Sequence, residues 1–329
     1  MTEPTHPDTS LHYRSPSFDA DAAEIVVTVP TFRRPQMLAR TLASIANQDF
    51  TEPYCVVVIE NDAEKRAGAE AAKRFLQASR LPGLVLLAHQ RGNCHAYNAG
   101  WRLVRESFTN YSAVAVIDDD EEADPRWLSA LCGTAQDVGA DIVGGPQVPV
   151  FETGHAPLAR HPVFAPPYET TGLVPILYSS GNVLIARQVL ESMPMPFLDP
   201  AFNFIGGGDS DFYSRAREHG FFFAWCAEAP VYESIPARRT TRSWLSARGR
   251  REGAISALIE NRRRPGFTGH MRTLAKSFLM LAAAPLRALR HGFEARSALH
   301  GMYYIHAATG RLGAEFGQIN EQYRNPEAN

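Results

Sequence analysis

Four short runs of this chain carry almost no polar side chain: EIVVTV (24–29), CVVVI (55–59), LVLLA (84–88) and AVAVI (113–117). A strand with one face in water alternates apolar and polar residues, whereas a run apolar at every position needs cover on both faces. The covering material lies between the runs. After the first, MLARTLASIA sets Met37, Leu38, Leu42 and Ile45 at helical spacing; the Ala-rich segment 67–78 and HAYNAGWRLVRES predict two more helices. DIVGGP (141–146), SGNVLIA (180–186) and FFFAWC predict further strands. FNFIGGGDSDFYSRAREHG predicts a glycine turn entering a helix that ends at Gly220. This alternation implies an α/β fold, a Rossmann-like, mostly parallel sheet flanked by helices. With 329 residues, 45% of them hydrophobic, the chain is long enough to bury such a core and to carry an appendage.

In sheets of this kind ligands bind beyond the C-terminal ends of the strands. Here those ends read PTFRR, ENDAE, HQRGN and DDDEE. No GxGxxG follows the first strand and no GxxxxGK[ST] occurs, which disfavours an NAD-type domain or a P-loop enzyme. The acids then replace glycines as phosphate handlers, acting through a metal. Five adjacent carboxylates repel one another, and Asp118 to Asp120, delivered to the ligand-bearing edge, are hard oxygen donors suited to Mg²⁺ or Mn²⁺ bridging to a diphosphate. Asp124, just before Pro125, reads as a helix cap. In GGGDSDF, Asp209 or Asp211 is an N-cap on one reading. On the other, Asp209 is a base that accepts a proton from a hydroxyl, although a helix start also lowers its pKa.

The net charge of −2 conceals an asymmetry: residues 236–296 hold 14 Lys/Arg against 3 acids, and the rest holds 19 against 32. Arg238, Arg239, Arg242, Arg248, Arg250 and Arg251, with Trp244 among them, form either a solvated helix face or a contact for the phosphates of a nucleotide or lipid head group. SFLMLAAAPLRAL is too short to span a bilayer, and Pro285 is expected to interrupt its helix. Arg272, Lys276, Arg287 and Arg290 surround it. Two readings stand: an amphipathic helix on the inner membrane surface with Tyr303 and Tyr304 as anchors, or a helical extension packed on the domain or in a dimer. The four cysteines are widely spaced, which suggests neither zinc nor disulfides and fits a reduced, cytoplasmic setting. Residues 1–22 read as a polar, disordered leader without a secretion signal, 23–235 as the α/β domain, and 236–329 as a basic helical region. The Pro-rich stretch 146–175 reads as a loop over the site.

Together VPTFRRP, the IEND strand end, RGNCHAYNAG, DDDE with PRWL after it, SGNVL and GGGDSDF make the chain, from about Glu24 to Gly253, resemble the family 2 inverting glycosyltransferases of the GT-A fold. The likeness is strongest to the branch of bacterial succinoglycan-type exopolysaccharide transferases. The resemblance implies that Pro30, Thr31 and Arg33 line a nucleotide pocket, that Glu60 and Asp62 face base and ribose, and that Asn98 and Asp119 also contact the donor. Asp118 and Asp120 match the DXD pair, Asp120 as ligand of Mg²⁺ or Mn²⁺ and Asp118 near ribose or metal. Asp209 matches the catalytic base, Arg248 and Arg251 the cations on the diphosphate, and Asn182, Gly207, Gly208 and Asp211 the acceptor site. Tyr97 stands where the family often has Arg, Glu60 where Asp is usual, and Gly208 where an acid normally precedes the base. The implied activity moves a sugar from a nucleotide diphosphate sugar, UDP-linked by the family's habit, to a glycan or polyprenyl-diphosphate-linked acceptor, with no nucleic acid partner. A nucleotidyltransferase of similar fold and a non-catalytic sugar-binding protein are the alternatives.

Overall fold

The computed structural model describes residues 6–154, 156–319, 321 and 324. In chain order they form β1 (Thr9–Arg14), β2 (Ile25–Thr31), α1 (Pro35–Ala46), β3 (Tyr54–Glu60), α2 (Ala67–Ala78), β4 (Gly83–Ala88), α3 (Asn93–Ser107) and β5 (Ala113–Ile117). There follow β6 (Glu121–Ala123), α4 (Trp127–Val138), β7 (Ile142–Gly144), β8 (Gln147–Phe151), β9 (Gly172–Val174), β10 (Asn182–Ala186), α5 (Arg187–Ser192) and α6 (Gly208–Glu218). The chain ends with β11 (Phe223–Trp225), β12 (Val231–Ile235), α7 (Arg242–Arg263), α8 (Phe267–Glu294) and α9 (Ala298–Glu315). Two compact units result. One comprises the described residues up to Val148, Pro167–Asn203 and Gly208–Glu233; the other comprises Pro149–Pro166, Phe204–Gly207 and the chain from Ser234 onward.

The first unit is built on a nine-stranded sheet in the order β1-β4-β3-β2-β5-β10-β7-β11-β9. β4, β3, β2 and β5 run parallel, and β10 lies antiparallel to both β5 and β7, so β7 and its parallel neighbour β11 keep the common direction. The four apolar runs are the central strands, buried at every apolar position because helices cover both faces. Leu38, Leu42 and Ile45 of α1 are fully buried on one face with Trp127, Leu128 and Leu131 of α4. Each such side chain contributes ~2 kcal/mol of apolar burial. On α3, Gly100 allows the close approach to β2 and β3: a Cβ there would lie 2.8 Å from Ile59. The parallel register sets Thr31 beside Glu60, so the polar strand ends come out at one edge.

The stretch expected to be a disordered leader contains β1, which pairs antiparallel with β4 from Thr9↔Ala88 to Arg14↔Leu84. Its sequence lacks an apolar run because an edge strand is held by its main chain and keeps one side in water. Residues 1–5 of that leader lie outside the described residues. The expected loop 146–175 contains β8 and β9, and residues 149–166 group with the second unit. β6, β12 and β8 form a separate three-stranded sheet.

The second unit is dominated by α7, α8 and α9. α7 and α9 cross at glycines, since a Cβ on Gly253 or on Gly310 would lie 1.9 Å from a carbonyl of the partner helix. Arg311, 1% exposed, donates to Ser256 at 2.8 Å and pairs with Glu260. Pro285 does not interrupt α8, which runs 28 residues through it. Proline removes one donor, and the rest of a long helix packed on α9 carries that loss. Tyr303 and Tyr304, expected as membrane anchors, are used inside the unit: Tyr303 donates to Glu252 at 2.7 Å and Tyr304 stacks on His291.

Candidate active site

β5 delivers its acids to the strand-end edge, and each is handled differently. Asp118 is half-buried and accepts a 2.6 Å hydrogen bond from the Tyr97 hydroxyl of α3. Burial, with Asp120 next, pushes the Asp118 carboxyl up to about 7, the Tyr97 bond opposing. Asp119 points back into the fold, accepting from the Thr31 hydroxyl at 2.8 Å and the Phe32 N–H at 3.2 Å. Burial raises it to about 6 although Arg34 pulls the other way. Arg34 spans two acids, 3.0 Å from Asp119 and 2.7 Å from Asp120. Burial works against the guanidinium charge, but those carboxylates hold it protonated. Glu121, 1% exposed, accepts from the Asp118 N–H at 2.9 Å and from the Gln147 amide, and burial raises its pKa well above the ordinary carboxylate value. Gly181 closes this side: a Cβ there would meet Asp118 Oδ2 and Glu121 Oε1, each at 2.9 Å.

Asp209 sits in the first turn of α6, where its carboxylate accepts from the Ser210 N–H at 2.7 Å. Gly208 abuts α3, with a Cβ there 2.8 Å from Cys94 Sγ. The Tyr213 phenol, raised well above its ordinary pKa mainly by burial, also feels the charges of Asp209 and Asp118.

Several expected donor and acceptor contacts are tied into the scaffold. The Glu60 carboxylate is fully buried, accepting from the N–H groups of Asp62 at 2.8 Å and Ala69 at 3.0 Å, so it fastens β3 to the start of α2. Asn98 bonds both backbone groups of Leu198, at 2.7 and 2.8 Å. It also lines a cavity of about 380 Å³ shared with Gln90, His95, Arg102 and Glu106, and none of the acids at the end of β5 lines that cavity. Asn182 commits both amide hydrogens to Pro146 and Ala229 and its oxygen to the Trp127 indole. Asp211 holds Arg215 at 2.8 Å. Gly207 has φ +90° and would place a Cβ 2.4 Å from Ile255, so backbone and packing explain it.

Other expected residues keep polar groups at the strand ends. Pro30 and Thr31 close β2, and Arg33 pairs with Asp62 at 2.6 Å. Burial would raise Asp62, but Arg33 and the Lys65 N–H bring it below its ordinary value. Arg33 and Arg91 both lie over the Phe32 ring, at 4.8 and 5.3 Å from its centroid. Arg248 and Arg251 belong to α7 in the second unit, where Arg248 pairs with Glu252 at 2.8 Å and Arg251 is 4% exposed.

Four side chains around the acids were given no such place by the sequence reading. Arg34 is the second arginine of PTFRRP, Tyr97 takes hold of the acid cluster in place of the family's arginine, and Glu121 with Gln147 buttresses Asp118. Arg34 had a signal in its place just beyond β2, Tyr97 in its departure from the family's usual residue, and Glu121 in the acidic run; Gln147 had none. Among the described residues, no group of three or more His, Cys, Asp or Glu is placed to hold a metal ion alone. Asp118 and Asp120, the pair expected to hold the cation, are two carboxylate donors, a set that would suit Mg²⁺ or Mn²⁺ only with further oxygen ligands such as substrate phosphates.

Residues 26–183 match the family described as Glycosyl transferase family 2. The succinoglycan biosynthesis protein ExoM of Rhizobium meliloti is 27% identical over 300 residues, covering 85% of this chain and 91% of that protein. Among solved structures, the mannosyltransferase PcManGT from Pyrobaculum calidifontis in complex with GDP-Man and Mn²⁺ is similar with a TM-score of 0.57 at 17% identity, over 91% of this chain and 89% of that one. S. aureus TarS 1-349 in complex with UDP is similar with a TM-score of 0.51 at 15% identity, over 90% and 92%. At these identities the likeness is one of fold.

Proposed function

We propose, from the premise that residues 26–183 are a family 2 glycosyltransferase domain, that this enzyme transfers a hexose with inversion from a nucleotide diphosphate sugar to a hydroxyl of a glycan or a polyprenyl-diphosphate-linked acceptor. Surface or exopolysaccharide synthesis is the setting favoured by the similarity to a succinoglycan biosynthesis protein. UDP is the proposed nucleotide, the one named with TarS; GDP-mannose, named with PcManGT, is the competing donor class. The family match favours this reading over a nucleotidyltransferase or a non-catalytic sugar binder.

The observation that carries the mechanism is the placement of the acids: Asp118 held by Tyr97 and Asp120 by Arg34 at the end of β5, with Asp209 in the first turn of α6. Asp118 and Asp120 would hold a divalent cation. Such a cation, when bound, neutralises charge on the departing nucleotide. Arg34 keeps Asp119 and Asp120 oriented, and Arg33 with Arg91 offers positive charge beside Phe32 at the same edge. The acceptor oxygen attacks the anomeric carbon from the face opposite the diphosphate. As that bond forms, the bond from carbon to phosphate oxygen breaks and its electron pair leaves with the nucleotide. Asp209 takes the acceptor proton, a contribution on the order of 10² to 10⁴ in rate. The proposed acceptor position is Gly208, at the start of α6.

The proposed station is the cytoplasmic face of the inner membrane. No helix among the described residues is long and apolar enough to cross a membrane. A panel of sugar nucleotides assayed for Mn²⁺-dependent release of free nucleoside diphosphate tests the function. Release from one donor, faster with an acceptor glycan, is expected; release of pyrophosphate or binding without turnover refutes it.

A further inference from the structure

We propose that the outward face of α8 is a docking surface for an anionic lipid bilayer, on which the helix lies parallel to the surface. The packing of the helix is inverted relative to an ordinary surface helix, which turns its apolar stripe inward. Toward α9 it presents small residues: Thr273 is 2% exposed, Ser277 0% and Ala284 1%. Ala288 approaches so closely that a Cβ on Gly301 of α9 would lie 2.3 Å from its carbonyl oxygen. Six large apolar side chains face away, while Leu274, Met280 and Leu281 are half-buried: Met271 (44% exposed), Phe278 (50%), Leu279 (71%), Leu286 (73%), Leu289 (73%) and Phe293 (87%) form the outward set. At helical spacing these six fall within an arc of about 100°, opposite the packed face, in a stripe ~33 Å long. A contiguous exposed patch of that size marks an interaction surface.

Charge decides the occupant. Arg272, Lys276, Arg287 and Arg290 line one flank of the stripe, and Glu294 is the only acid of the helix. Lys276, 53% exposed, pairs with the half-buried Glu260, which also holds Arg311, and Arg290 pairs with Glu294 in an exposed pair of the kind that exchanges readily for lipid phosphates. A second copy of the chain on this stripe would bring a like-charged row against the first. An anionic head-group layer neutralises the row instead, roughly fivefold in partitioning per cation. The apolar side chains then enter the boundary between head groups and acyl chains, the geometry of interfacial helices.

This rests on the proposed reading only in that a polyprenyl-linked acceptor is met at such a surface, and the test reads the two separately. The full chain is floated with vesicles of phosphatidylcholine plus phosphatidylglycerol and with vesicles of phosphatidylcholine alone, beside the triple variant Leu279→Ser, Leu286→Ser, Leu289→Ser. The expected result is flotation with the mixed vesicles, weakened by salt, and at least a roughly tenfold loss in the triple variant. That variant should still release nucleotide from the donor in solution at the wild-type rate, which shows it folded. A Leu286→Trp variant gives a second readout, as brominated phosphatidylglycerol should quench its emission. Absence of flotation and quenching overturns the proposal, as does equal flotation of the triple variant. A dimer in sedimentation velocity that the triple variant abolishes, without vesicle binding, assigns the stripe to a second copy.

Discussion

At the scale of single residues, the site is a set of carboxylates with different neighbours. Asp120→Ala should abolish Mn²⁺-dependent donor binding by calorimetry. Asp209→Asn should keep that binding while turnover falls by on the order of 10² to 10⁴. Equal loss of binding in both variants contradicts the division of roles. Tyr97→Phe removes a hydrogen bond that favours the charged form of Asp118. The carboxyl, already raised to about 7, should move higher. Mn²⁺-dependent donor binding should then weaken about tenfold near neutral pH and recover as pH rises, since protons compete with the cation for the same oxygens. An unchanged pH profile for the variant contradicts this. The acidic run was legible in the sequence, but the partners of Asp118 and Asp119 were not: Tyr97 and Thr31 lie 21 and 88 positions away.

At the scale of elements, the helices of the second unit carry a crossing and a buried histidine that can be tested. Gly253→Ala places a methyl against the α9 backbone, where no flexible side chain can move aside. Overpacking of this kind should destabilise the protein by ~1–3 kcal/mol, read by urea unfolding. His161 is buried among Phe164, His300 and Tyr303, its Nδ1 accepting from the Val163 N–H and its Nε2 near the Leu299 carbonyl. Burial, with His300 adding to it, lowers this imidazole to about 4, with Leu299 and Glu252 opposing. Its unfolded value is about 6.5. Between those values the unfolded chain binds the proton and the native one does not, so this stability is present above about 6.5 and is lost as pH falls toward 4. In parallel pH series of thermal unfolding, His161→Phe should lose less stability than wild type across that window. Identical slopes refute the assignment. The helices themselves were readable from their spacing; Pro285 within α8 was not, because a proline's effect depends on what the helix packs against.

At the scale of the whole molecule, a bound donor acts as a ligand of the native state alone. Donor with Mn²⁺ at about 100 times its dissociation constant should raise the unfolding free energy by ~2.7 kcal/mol, and Asp120→Ala should abolish the gain. A donor that protects equally well in EDTA contradicts the cation's part.

The order of apolar runs and helical spacings determined by itself that the chain forms a largely parallel sheet with its acids at one edge, because period and burial pattern are local properties of consecutive residues. Tertiary structure alone decided which polar side chains remain for chemistry. Glu60 could be read as a donor contact until Ala69 was seen to take its carboxylate; Asn98 and Asn182 could be read so until Leu198 and Ala229 were seen to take their amides. For the two asparagines the partners lie 100 and 47 positions away, and for Glu60 the bond needs the turn between β3 and α2, so local sequence carries no mark of them. For the same reason the periodicity of α8 showed two faces, and only packing against α9 showed that the apolar one points out.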